Sequence, residues 1–136
     1  MVGLLNRASR GLLAATAIAA APAAQAADDL VTSGGDSARG RSLFQSNCAI
    51  CHSADPDGRI VVGPPLFGVV DRPVAAISGF DYSGAMQAAG FTWTAEQLKT
   101  YLHSPRTLVP GGRMRFRGLE KPGQAEDVVA YLETLK

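Results

Sequence analysis

In a chain of 136 residues with two cysteines and two histidines, the run Cys48-Ala-Ile-Cys51-His52 constrains the fold more than any other feature. Thiols three residues apart lie on one side of a helical turn, and the adjacent imidazole is carried with them. A structural zinc site needs four ligands, and the only other histidine, His103, lies about 50 residues on, at no finger spacing. A thioredoxin-like redox pair needs a βαβ setting, which the sequence does not offer. A plain disulfide suits an exported protein but gives His52 no role. C-x-x-C-H is the attachment signal for a c-type haem. Cys48 and Cys51 can add to its two vinyl groups, and His52 is then held beneath the iron as proximal ligand. The sixth iron position must be filled from elsewhere in the fold, and the candidates are His103, Met86 and Met114. Met114 ends Val109-Pro-Gly-Gly-Arg-Met114, a rigid loop that can present a thioether. Met86 falls in a short amphipathic helix, where methionine is commonly core filler. His103 stands at a helix end. Spacing favours Met114 without excluding the others.

The N-terminus bears on how much of the chain folds. Arg7 and Arg10 precede an uncharged stretch from Gly11 to Ala21, followed by Pro22-Ala-Ala-Gln-Ala26. That is the order of a secretory signal peptide, and the stretch falls short of the about 20 apolar residues a spanning helix needs. We expect residues 1–26 to be cleaved, residues 27–36 to form a flexible polar leader, and residues 37–136 to form one domain. Removing Arg7 and Arg10 turns the formal charge of +1 into −1, which is no footprint of a nucleic-acid binder. The domain reads as all-α. A helix capped by Asp36 or Ser37 runs into Cys48, a short one covers Ser83 to Ala89, and one capped by Thr94 ends at Ser104-Pro105. A last helix from about Gln124 to Leu135 carries Ala125, Val128, Leu132 and Leu135 on one stripe. Residues 53–81 and 105–123 read as glycine- and proline-rich loop. Loops this long are uncommon unless they wrap something, and a large prosthetic group supplies the missing core.

Several segments, in order, resemble a class I c-type cytochrome of the cytochrome c and cytochrome c2 branch. They are Gly40-x-x-x-Phe44-x-x-x-Cys48, the CAICH run, GPPLFG at 63–68 followed by Arg72, GFDYS at 79–83, Thr92-Trp93, Tyr101, the segment ending at Met114, and AYL at 130–132. The resemblance implies helices and loops wrapped around one covalently bound haem c, with His52 and Met114 on the iron. It implies that Pro64 offers its carbonyl to His52, that Arg72, Tyr82 and Trp93 bind the haem propionates, and that Tyr101 donates to the methionine sulfur. It also has Gly40 and Phe44 meeting Val128 and Tyr131 where the terminal helices cross. Three positions depart from the family pattern. Gly112 replaces a hydroxyl residue that contacts a propionate, Met86 replaces an asparagine of the polar network, and Asn47 replaces a docking lysine.

A haem with both axial positions filled by protein has no open site for oxygen or peroxide, so the expected role is outer-sphere transfer of one electron, not enzymatic turnover. The resemblance implies a soluble, monomeric periplasmic carrier, not an integral membrane protein once cleaved. The alternative is a permanent haem c subunit of a periplasmic dehydrogenase. A haem peroxidase or gas sensor would need an open position, and the cytochrome c′ bundle carries its attachment motif near the C-terminus. Arg106, Arg113, Arg115, Arg117 and Lys121 crowd the Met114 side and are expected to steer the protein to acidic redox partners. A bc1-type complex, an oxidase, a reaction centre or a dehydrogenase would fit.

Overall fold

The computed structural model describes residues 34–136. The expected signal peptide and most of the leader lie outside the described residues. Within them the regular structure is helical: α1 (Ser37–Asn47), α2 (Gly84–Ala88), α3 (Ala95–His103), α4 (Pro105–Leu108) and α5 (Gln124–Glu133). No described helix is long and apolar enough to cross a membrane.

The helix starts follow from short polar side chains. Asp36 caps α1 by accepting from Ala38 N at 2.8 Å and Arg39 N at 3.0 Å, which satisfies amides that have no partner in the first turn. Ser83 Oγ accepts from Met86 N at 3.2 Å to start α2, and Thr94 Oγ1 accepts from Gln97 N at 3.2 Å to start α3. The Thr94 amide goes to Thr92 O instead of to the Gln97 side chain, so only half of a capping box forms. Residues 105–123 are not all loop. Pro105 opens the four-residue α4, because a proline that stops one helix has the φ and the missing N–H suited to the first position of another. The last helix ends at Glu133, two residues before the expected Leu135.

α1 and α5 cross at Gly40. A Cβ built there would lie 1.8 Å from Asp127 O and 3.0 Å from Tyr131 Cβ, so only glycine lets the two backbones approach this closely. Phe44 packs against Tyr131 one turn on, with ring centroids 5.3 Å apart. The crossing is closed by Asp127, whose buried carboxylate accepts from Asp36 N at 2.6 Å, from Arg39 Nε at 3.0 Å and from Arg39 Nη2 at 3.2 Å. Arg39 holds this carboxyl below the ordinary range against the opposing effect of burial. α3 completes the layer by packing on α5. Leu98, Leu102, Val128 and Leu132 are all buried.

Candidate functional site

The turn after α1 sets the attachment geometry. Cys51 N and His52 N both bond to Cys48 O, at 3.0 and 2.9 Å, so the chain from Cys48 to His52 stays coiled and keeps its two thiols and imidazole together. The following loop folds back: Val62 N and Gly63 N bond to Cys51 O at 3.1 and 2.8 Å, and Ile60 bridges to His52. Gly63 has to be glycine, since a Cβ there would lie 2.4 Å from the His52 ring. Pro64 then brings its carbonyl oxygen 2.7 Å from His52 Nδ1. That contact fixes the imidazole with Nδ1–H donating and leaves Nε2 free as a ligand atom. Burial lowers the His52 pKa, the Pro64 carbonyl opposing it, and the net effect favours the neutral ring a metal requires. Cys48 is buried and Cys51 half-buried, and the two do not pair with each other in a disulfide.

These groups face a cavity of about 540 Å³ in the middle of the core. Its walls include Phe44, Leu66, Val69, Leu98 and Leu132, and it is lined as well by Cys48, Cys51, His52, Pro64, Arg72, Tyr82, Trp93, Tyr101 and Met114. All nine of the residues expected to attach, ligate or hold the haem therefore meet at one place. Protein interiors are close-packed, with few voids larger than a water molecule, so a concavity of this size lined by core side chains is the kind of site that receives a large ligand. Such a core suits a large, flat, mostly apolar group. The donor set suits a haem: two thiols for its vinyls, an imidazole, and a thioether.

The polar groups on the wall are arranged by loop pairing. Residues 71–74 run against 91–93, with Asp71 N bonded to Trp93 O, Trp93 N to Arg72 O and Val74 N to Phe91 O, each at 2.9 Å. This sets Arg72 beside Trp93. The Arg72 guanidinium donates to Pro65 O at 2.8 Å and Phe67 O at 3.1 Å. Burial lowers its pKa while Tyr82 opposes the shift. Tyr82 accepts from Ile77 N at 3.4 Å, which leaves its O–H free to donate. Trp93 meets Tyr101 edge-on at 4.9 Å, and burial raises the Tyr101 pKa. An indole, a phenol and a half-used guanidinium are the donors that burying a carboxylate demands.

The remaining expected residues separate. His103 lies off this cavity, with Nδ1 3.0 Å from Leu119 O, and it lines instead a groove of about 300 Å³ together with Lys121. Met86 on α2 does line the main cavity. Of the basic residues, Arg113 and Arg115 reach the cavity, whereas Arg106, Arg117 and Lys121 are exposed away from it. Sequence reasoning missed Asp127 with Arg39, and it missed Asp81, which pairs with Arg113 at 3.1 Å. Sequence separations of 88 and 32 leave no local signal for either pair.

The chain matches the family described as Cytochrome c over residues 37–136. It is 42% identical over 102 residues to a cytochrome c2 of Rhodopila globiformis, covering 75% of this chain and 95% of that one. It is 43% identical over 114 residues to the cytochrome c-type cyt cy of Rhodobacter capsulatus, covering 84% of this chain and 56% of that longer relative. Among solved structures, cytochrome cH from Methylobacterium extorquens aligns with a TM-score of 0.68 at 37% identity, covering 74% of this chain and 99% of that one.

Proposed function

The chain belongs to the cytochrome c family, whose members are electron-transfer proteins and not enzymes, and from that premise we propose that it is a soluble periplasmic one-electron carrier with His52 and Met114 on the iron. Family membership gives it one covalently attached haem c. The observation that carries the reading is the meeting of Cys48, Cys51, His52 and Met114 on one cavity.

The bound group supplies a centre that gains or loses one electron without making or breaking a bond. The protein's own residues keep that exchange simple. Cys48 and Cys51 would tether the haem through thioethers, so it stays with the protein outside the cytoplasm. Pro64 orients His52. Met114 is a soft, neutral ligand that favours the reduced iron and raises the potential, and its place on a stretch free of helical constraint sets it ahead of Met86. His52 and Met114 together would hold the iron and leave no site on it for small oxidants. Arg72, Tyr82 and Trp93 hold the propionates, and Tyr101 donates to the methionine sulfur. The apparent signal peptide supports export to the periplasm. Arg106, Arg115, Arg117 and Lys121, with Arg113, steer the protein toward acidic redox partners of the bc1, oxidase, reaction-centre or dehydrogenase kind.

Potentiometry of the holoprotein tests this. A single reversible one-electron wave and a reduced spectrum unchanged by carbon monoxide are expected. Ready carbon monoxide binding by the reduced protein would mean an open iron and overturn the reading.

A further inference from the structure

The segment that carries Met114 is held differently from the rest of the cavity wall. A turn bonds Gly112 N to Val109 O at 3.0 Å, and Leu119 N bonds to Leu102 O at 2.8 Å. Between them, among the described residues, positions 113–118 make no backbone hydrogen bond. Met114 and Phe116 pack partly onto the core, while Arg113, Arg115 and Arg117 alternate outward. A stretch with no backbone bonds and two part-buried anchors belongs to the low end of local stability. Among the described residues its one hydrogen-bonded tether is the Arg113 side chain. Nη1 and Nη2 donate to Asp81 Oδ2 at 3.2 and 3.1 Å, and Nη2 also donates to the Asp81 backbone carbonyl. Asp81 sits between Phe80 and Tyr82, which stack edge-on at 4.7 Å. Asp81, Tyr82, Arg113 and Met114 all line the main cavity, so the tether joins two loops at its wall, one residue away from the methionine.

We propose that Arg113 and Asp81 form an ionic latch that keeps the Met114 segment closed, making Arg113 a positioning residue for the axial ligand. The inference rests on Met114 being that ligand. Both side chains are largely exposed, at 58% and 89%. A surface pair of this kind shifts an open–closed equilibrium by about two- to fivefold and no more. It therefore tunes the closed state and is weakened by salt.

Imidazole titration of the oxidised holoprotein reads the open fraction, because apparent affinity scales with the population of the binding-competent state. At low ionic strength Asp81→Ala and Arg113→Gln should each raise imidazole affinity about two- to fivefold. The double variant should match the larger single effect, since both changes remove one interaction. At about 1 M salt, where the screening length is about 3 Å, the wild type should rise to meet the variants. Unchanged affinity in the single variants, or a double effect equal to their product, would overturn the latch. Met114→Ala in the same titration separates the two readings. If it leaves imidazole uptake unchanged, the ligand assignment fails; if it raises uptake while the latch variants do not, the latch alone fails.

Discussion

Asp127 accepts three hydrogen bonds in a buried setting, two from the Arg39 side chain and one from the Asp36 amide, and this gives stability a definite pH dependence. The Arg39 hydrogen bonds, ahead of the opposing desolvation, lower its folded pKa below the ordinary value. The unfolded chain returns it to about 3.9. A carboxyl with a depressed folded pKa contributes stability that is complete above the unfolded value and is lost as pH falls through the folded one. Arg39 is 69% exposed, so solvent screens its side of the pair, and Asp127→Asn should cost about 1–2 kcal/mol at neutral pH. Denaturant melts of both holoproteins across pH 3 to 7 check this. The gap between wild type and variant should hold above about pH 5 and narrow progressively below about pH 4, as pH falls from the unfolded value toward the lower folded one. Because acid effects on the haem ligands are common to both proteins, the difference isolates this carboxyl. A gap independent of pH would show that Asp127 acts by shape and not by charge.

At the scale of elements, the run from Val109 to Lys121 carries both the proposed ligand and the proposed docking charges. Arg113 is engaged by Asp81, which leaves Arg115, Arg117 and Lys121 as the unpaired cations of that run among the described residues. Arg117→Glu should slow oxidation of the reduced protein by hexacyanoferrate(III), an anionic oxidant, severalfold at low ionic strength. The difference should shrink toward nothing at about 1 M salt. Stopped-flow rates equal to wild type at low salt would remove Arg117 from the docking face. The starts of α1, α2 and α3 were legible because Asp36, Ser83 and Thr94 act within three residues of themselves. α4 was not, because Ser104-Pro105 reads equally as the end of one helix and the start of the next. Gly40 was readable from the resemblance, and its clash with Asp127 O gives that glycine its physical reason. The His52 partner was also read through the resemblance. The Arg39–Asp127 and Arg113–Asp81 pairs depend on how distant segments come together, which neither periodicity nor spacing reports.

The described domain is a layer of α1, α3 and α5 backing a cavity whose other walls are loop and the short α2. The long stretches between helices lack an apolar period because their side chains face a prosthetic group instead of a second layer of protein. Chemistry and folding are thus joined at one place: the residues expected to bind the haem are also those that line the centre of the core. Two sulfurs compete for the iron, since both Met114 and Met86 line that cavity. The direct measurement is the long-wavelength absorption band of iron–methionine sulfur in the oxidised holoprotein, compared among wild type, Met114→Ala and Met86→Ala. With Met114 on the iron, the band is expected in wild type, retained in Met86→Ala and abolished in Met114→Ala, with the haem still attached in all three. Loss of the band in Met86→Ala alone, with Met114→Ala unchanged, would contradict that assignment.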